Sequence, residues 1–211
     1  RTPLTTIKWY TEMLLEGRTG TNGEKQKEYL EEVYDGNQRM IDLVNDLLDV
    51  SRVERGAIVI QPELVDLKSL VENIFEDLKP EILSKQLAVN KIYQGNMEVK
   101  IDPKVIKVIL LNLISNAVKY TLTSGKINLN IEVLEGNLFI DITDSGLGIP
   151  RQAQSQIFTK LYRADNVKKV DTKGSGLGLY LIKSLVDQSN GKISFSSVEG
   201  QGTKFIVKLP L

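Results

Sequence analysis

The sequence predicts an α+β protein: a long helical hairpin, then a mostly antiparallel sheet covered by helices on one face. Three observations predict it. Apolar residues recur at alternating steps of three and four through the first fifty or so positions. Strict apolar–polar alternation takes over from Ile127 onward. Short glycine-bearing turns, rather than helical stretches, separate several neighbouring alternating runs.

The 211 residues suit one large domain or two smaller ones. Lys+Arg and Asp+Glu stand at 27 each, so no general attraction to nucleic acid or anionic membrane is expected. There is no cysteine and no histidine. Disulfides, thiolate or imidazole zinc sites, and Ser–His or Cys–His nucleophile pairs are thereby excluded. No apolar run approaches the ~20 residues that span a bilayer, and no signal peptide opens the chain. As given, the chain reads as soluble. It starts inside a helical pattern, as a piece of a longer protein would.

In the first helix Leu4, Ile7, Thr11 and Leu14 form the apolar seam. Gly17, Gly20 and Gly23, with Thr19, Thr21 and Asn22, read as a short loop. A longer helix follows from about Glu24 to Glu54. Its seam is Leu30, Val33, Asn37, Met40, Val44, Leu47 and Ser51, a coiled-coil-like pattern. A two-helix hairpin cannot cover its own seam, whereas two hairpins joined as a four-helix bundle can, so a homodimer is expected. Packing of the hairpin on the rest of its own chain is the alternative. Gly56 and Pro62 bracket a linker, which divides the chain into domains at 1–58 and 59–211.

Beyond the linker Leu64 and Val65 fit a short strand, and residues 67 to 84 one amphipathic helix. Leu87 to Tyr93 and Met97 to Ile101 read as a pair of strands around Gln94-Gly95-Asn96. Asp102-Pro103 opens another helix, Asp as N-cap and Pro at the first helical position. Ile127 to Val133 and Leu138 to Ile142 form a hairpin about Glu135-Gly136-Asn137. A last hairpin joins Lys192–Ser197 to Gly202–Leu209.

Three stretches carry candidate chemistry. In Asn112–Tyr120 the side chains of Asn112, Asn116, Lys119 and Tyr120 fall on one helix face, leaving Leu113, Ile114, Ala117 and Val118 for the core. Two amides and an ammonium there could offer oxygen to Mg²⁺, which needs few protein ligands, and positive charge to phosphates. An ordinary solvated helix face has the same pattern. In Asp144–Pro150 a carboxylate ends an apolar strand and Gly146 and Gly148 follow. Asp144 could accept from an amine such as adenine's, and the glycines let a flat ring approach. A plain strand-to-helix turn is the other reading. In Lys173–Leu179 a glycine-rich loop runs into an apolar helix, offering N–H groups and a positive dipole end to phosphate. It is neither a Rossmann fingerprint nor a Walker A loop, and a simple hinge remains open. The polar segment Thr159–Lys173 suits a mobile lid.

Taken together and in this order, the stretches resemble the N, G1, F and G2 boxes of sensor histidine kinases of two-component systems. The N box is Asn112–Tyr120, the G1 box Asp144–Pro150, the F box Ile157–Arg163 and the G2 box Lys173–Leu179. Arg1-Thr2-Pro3-Leu4 resembles the tail of that family's His-Glu-Leu-Arg-Thr-Pro-Leu box. The resemblance spans the whole chain. It implies a dimeric four-helix bundle followed by a GHKL (Bergerat) α/β-sandwich with a mixed, mostly antiparallel sheet that binds ATP. By that resemblance Asn116 coordinates Mg²⁺ with Asn112 supporting it, and Lys119 and Arg163 contact phosphates with Tyr120 alongside. Asp144 binds the adenine amine in a pocket shaped by Gly146, Gly148 and Ile149. Gly174, Ser175, Gly176, Leu177, Gly178 and Leu179 form the lid end and phosphate cradle.

The implied reaction is in-line transfer of the γ-phosphoryl to a histidine and onward to the Asp of a response-regulator receiver domain. Thr2 matches a position that helps some members dephosphorylate their regulator. The acceptor histidine would lie three positions before Arg1, so autophosphorylation is not expected of these residues alone. Most family members are membrane-anchored receptors with a cytoplasmic kinase part. Two departures stand out: Leu161 where a second aromatic is usual, and Ser189-Asn190-Gly191 for the common His-Gly-Gly. Two alternatives stay open, another GHKL-type ATPase and a nucleotide-binding scaffold without kinase activity.

Overall fold

The computed structural model describes residues 2–16, 23–55, 60–170 and 174–211. The expected loop at Gly17 to Asn22, the linker glycine Gly56 and the lid residue Lys173 lie outside them. The chain divides into two compact units, Arg1–Ser51 and Arg52–Leu211.

Helices α1 (Thr2–Leu15) and α2 (Gly23–Glu54) make up the first unit, apart from the last residues of α2. The rings of Tyr10 and Tyr29 meet at 5.1 Å. The single seam expected along α2 proves to be two stripes. Val33, Gly36, Met40 and Leu43 are buried or half-buried, whereas Leu30, Tyr34, Ile41, Val44, Leu47 and Leu48 are exposed. Leu30, Tyr34, Ile41, Val44 and Leu48 follow one another at steps of four, seven, three and four, the spacing of a helix that packs on another helix. Among the described residues no helix is long and apolar enough to cross a membrane.

The second unit is a two-layer sandwich. Strands β1 (Glu63–Asp66) and β3 (Glu98–Ile101) pair antiparallel as a small separate sheet. The main sheet runs β2-β4-β5-β7-β6, built from β2 (Ala88–Gln94), β4 (Lys126–Leu134), β5 (Asn137–Asp144), β6 (Lys192–Val198) and β7 (Gly202–Pro210). Only β2 and β4 are parallel; the other three pairings are antiparallel. Helices α3 (Leu67–Asp77), α5 (Pro103–Tyr120) and α7 (Gly178–Gln188) supply buried side chains to the core. From α5 come Ile106, Ile109, Leu110, Leu113, Ile114 and Val118; from the sheet come Ile127, Leu129, Ile131, Leu138, Ile140 and Ile142. Each such burial contributes roughly 1.5–3 kcal/mol, which is what seats α5 on the sheet.

In the second unit two expectations need correction. The helix expected over 67 to 84 is two, α3 and the short α4 (Lys79–Ser84), with Leu78 as the shared cap. Pro80 stands in the first turn of α4, where a proline without an N–H is tolerated; in the middle of one continuous helix it would not be. The strands expected as a pair around Gly95 do not pair with each other: β2 joins β4 and β3 joins β1. The cap at Asp102 holds as read. Its carboxylate accepts from the backbone N–H of Lys104 at 2.8 Å and of Val105 at 3.1 Å, and from Gln61 at 2.8 Å.

The edge strand β2 is tied to α3 through Glu72, which pairs with Lys91 and accepts from the Tyr93 hydroxyl at 2.9 Å. The Lys91 hydrogen bond holds the Glu72 carboxyl below its usual pKa. A depressed carboxylate contributes stability that is present above its unfolded pKa, ~4.3, and lost as pH falls through the folded value. Glu72→Gln is therefore expected to lower the urea midpoint at neutral pH and to lose less of it between neutrality and about pH 3. Parallel midpoint-versus-pH curves for the two proteins would show that the pair adds nothing.

Candidate functional site

The three stretches, far apart in sequence, come together along the second half of α5. Leu113, Ile114, Ala117 and Val118 are buried under the sheet, so Asn112, Asn116, Lys119 and Tyr120 are left half-exposed along the opposite stripe. Asn112 is fixed by its own helix, its Nδ2 donating to the Val108 carbonyl at 2.9 Å. That leaves its Oδ1 facing the start of α7. A Cβ on Gly178 would stand 3.4 Å from Asn112 Cγ and nearer still to Oδ1, so the two helices touch at a glycine. Lys119 Nζ lies 5.8 Å from the centroid of the Tyr120 ring.

The Asp144 loop is built onto the end of this helix. The Leu147 N–H donates to the Tyr120 carbonyl at 3.1 Å. Gly146 sits so close beneath it that a Cβ there would be 2.7 Å from the Tyr120 carbonyl carbon, and closer to its oxygen. Asp144, at the end of β5, accepts from Gly146 N at 2.8 Å and from the backbone N–H of Thr203 on the neighbouring strand. Burial pushes its carboxyl pKa up, and those two N–H groups pull back against it. Such an acid is poised to gain from one more donor. Ile149 is pinned by its N–H to Ser197 Oγ at 2.8 Å, and its carbonyl accepts from Gln154 at 3.1 Å.

In the F stretch, Phe158 packs edge-on to Phe195 at 5.8 Å and Leu161 is exposed at φ +60°. The glycine loop returns to it: Gly176 lies against the backbone of Leu161 and Tyr162 and near Arg163 Cγ. Gly174 and Ser175 are half-buried; Ser175 Oγ accepts from Leu177 N at 3.2 Å, and Leu177 is buried. Gly178 opens α7, with Leu179 half-buried behind it. Thr2 is the first residue of α1, and its side chain is not among those described.

Sequence reasoning missed three contributors. Asn166, in the short helix α6 (Asp165–Val170) within the segment expected as a lid, donates from Nδ2 to the Gly148 carbonyl at 2.8 Å. Its Oδ1 is buried, and among the described residues no donor reaches it. Ser197 and Thr203 brace the Asp144 loop from β6 and β7. Only the alignment of Thr203 opposite Asp144 in the sheet reveals these, and that register is not written in local pattern.

A family model described as "Histidine kinase-, DNA gyrase B-, and HSP90-like ATPase" matches residues 101–211. The chain belongs to that ATPase family. A second model, the His Kinase A (phospho-acceptor) domain, matches residues 1–56, and the two together place the chain among the sensor histidine kinases. Over its whole length the chain is similar to the circadian input-output histidine kinase CikA of Synechococcus elongatus at 33% identity. It is similar to the sensor protein kinase WalK of Staphylococcus epidermidis at 34%. The chain spans only 28% and 34% of the length of these two relatives. Full-length ShkA, solved in complex with AMPPNP, superposes over all of this chain and 43% of its own, with a TM-score of 0.75 and 26% identity. The α+β architecture expected from the sequence is thus the fold of this kinase family.

The donor set suits an adenine nucleotide with Mg²⁺. Asp144 is a half-buried acceptor whose carboxylate has room for a further donor and Asn166 Oδ1 a buried one, while Lys119 and Arg163 supply positive charge. Asn116 offers one amide oxygen on the half-exposed stripe of α5, enough for a metal that draws its other ligands from phosphate and water.

Proposed function

We propose that this chain is the ATP-binding and phosphotransfer core of a sensor histidine kinase, working as a homodimer and passing phosphate on to a response-regulator receiver domain. One observation carries the reading. The Asn112–Tyr120 stripe is hydrogen-bonded to the Asp144 loop at Tyr120–Leu147 and closely approached by the end of the glycine loop at Asn112–Gly178. A solvated helix face, a plain turn and a hinge would have no reason to converge.

Bound Mg²⁺–ATP would supply the γ-phosphoryl group, which passes in line to a histidine nitrogen as its bond to the β-phosphate oxygen breaks. Asp144 accepts from the adenine amine and orients the base, with Gly146, Gly148 and Ile149 forming the walls. Asn116 presents its amide oxygen to the metal, and the Asn112–Gly178 contact keeps that helix face in place. Lys119 and Arg163 offset phosphate charge, and the N–H groups from Gly174 to Leu179 do so at the start of α7. The work is positioning and charge neutralisation, as the reaction class requires. The 211 residues contain no histidine, so the acceptor lies outside them. The exposed stripe Leu30–Leu48 on α2 is suited to pairing two hairpins in a bundle, and Thr2 would stand near the regulator's acceptor Asp.

Asn116→Ala is expected to weaken ATP binding about tenfold when Mg²⁺ is present and to leave metal-free binding unchanged. Equal losses with and without metal would remove Asn116 as a ligand. Kinase activity is tested by extending the chain at its start with His-Glu-Leu and incubating it with γ-labelled ATP. Acid-labile, base-stable label on that histidine supports the reading. ATP binding with no label supports a nucleotide-binding scaffold instead.

A further inference from the structure

Building on the ATP reading above, we propose that Lys85 is a positioning residue for the nucleotide site: its ammonium fixes the last turn of α5 and so sets the Asn116–Tyr120 stripe against the Asp144 loop. The hydrogen-bond accounting at this helix end motivates the assignment. Thr121 N closes the final helical bond on Ala117 O, and Thr121 Oγ1 adds a second at 2.6 Å. The carbonyls of residues 118 to 121 then have no helical donor. Lys85 Nζ donates to three of them: Val118 at 2.9 Å, Lys119 at 2.6 Å and Thr121 at 3.3 Å. The fourth, Tyr120, takes Leu147 N from the Asp144 loop. One ammonium therefore decides where the carbonyl that anchors the loop points.

The main chain of Lys85 holds the same corner. Its carbonyl accepts from Ser124 N at 2.8 Å, in the turn that follows α5. Two residues on, Lys126 N donates to Ser145 Oγ at 2.8 Å and Lys126 O accepts from Ser145 N at 3.0 Å, beside Asp144. Lys85 thus clamps both the end of the helix and the entry to the strand next to the loop. Its charge matters as well. Desolvation pushes its pKa down, Glu81 offsets this in part, and Lys119 repels it. Three carbonyl dipoles hold the ammonium in place, and in return it neutralises the negative end of α5, where Lys119 is to meet phosphates. A neutral cap would satisfy fewer of these carbonyls and leave that negative end uncompensated.

The test uses the 211-residue chain with Lys85→Met, Lys85→Arg and, as a stability control, Val71→Ala in the buried face of α3. ATP affinity is measured by calorimetry well below the melting temperatures, and amide exchange is followed at Leu147. Lys85→Met is expected to lose about tenfold in ATP affinity and to exchange the Leu147 amide faster. Lys85→Arg should retain most of the affinity. Val71→Ala should bind ATP as the wild type does despite a lower melting temperature. Should Lys85→Met not fold, Lys85→Gln, which keeps two donors, carries the same test. Wild-type affinity in the Met or Gln variant, or an equal loss in Val71→Ala, overturns the assignment. If the wild-type chain itself binds no ATP, the ATP reading fails first and takes the assignment with it.

Discussion

Asp144→Ala lowers the affinity of this chain for ATP by about tenfold to a hundredfold, read by calorimetry on a protein that still melts cooperatively. The carboxylate ends β5 half-buried, and among the described residues the N–H groups of Gly146 and Thr203 are its donors. A charge-assisted hydrogen bond made there by an adenine amine is worth ~1.5–3 kcal/mol, which sets the range. Melting should be affected little, because the lost side chain is one whose burial opposes its charge. The sign of the pH dependence follows. Burial raises the folded pKa of Asp144, so the carboxylate takes up its proton at a higher pH than an exposed aspartate does. ATP binding, which needs the ionised form as acceptor, therefore weakens on acidification earlier than an ordinary aspartate would allow, and Asp144→Ala loses that pH dependence. Unchanged ATP affinity in the variant would remove Asp144 from the base site.

Gly146→Ala is the second large effect, and it acts on geometry. The added Cβ would fall 2.7 Å from the Tyr120 carbonyl carbon, which is backbone and cannot swing aside. Either the Leu147–Tyr120 hydrogen bond opens or the end of α5 shifts, and in both cases the loop moves away from the Asn116–Tyr120 stripe. A backbone displacement of that kind costs on the order of 1–3 kcal/mol in stability. Because positioning within about an ångström is what this chemistry depends on, the loss in ATP affinity should exceed a hundredfold. Chemical denaturation and calorimetry on the same preparation check both parts. An alanine variant with wild-type melting and wild-type binding would mean that the two stretches are not locked as described.

The parts of this molecule that were legible in sequence are those written in local spacing. The two alternating hairpins and the burial of Leu113, Ile114, Ala117 and Val118 follow from periods of two or three to four, and the Asp102-Pro103 cap from the residue types at a helix start. The break between α3 and α4 was also written, at Pro80, but the amphipathic pattern running across it masked the signal. Other features had no local signature. That β2 runs parallel to β4 while β3 leaves for β1 is decided by long-range pairing, which alternation alone does not encode. In the site, the glycine positions were conspicuous, but their partners were not. Asn166 reaches Gly148 across 18 residues, Lys85 reaches Val118 across 33 and Ile149 reaches Ser197 across 48. A lone asparagine, lysine or serine at those positions looks like any surface residue until the fold brings its partner within 3 Å.

The most direct measurement is a calorimetric titration of this chain with ATP and with GTP, each with and without Mg²⁺. At ring position six adenine carries an amine and guanine a carbonyl, so the Asp144 carboxylate meets a donor in the first and a repelling oxygen in the second. Micromolar ATP binding that tightens with Mg²⁺ is expected, with no measurable binding of GTP. Binding of neither nucleotide, or equal binding of both, would contradict the assignment of Asp144 to an adenine site.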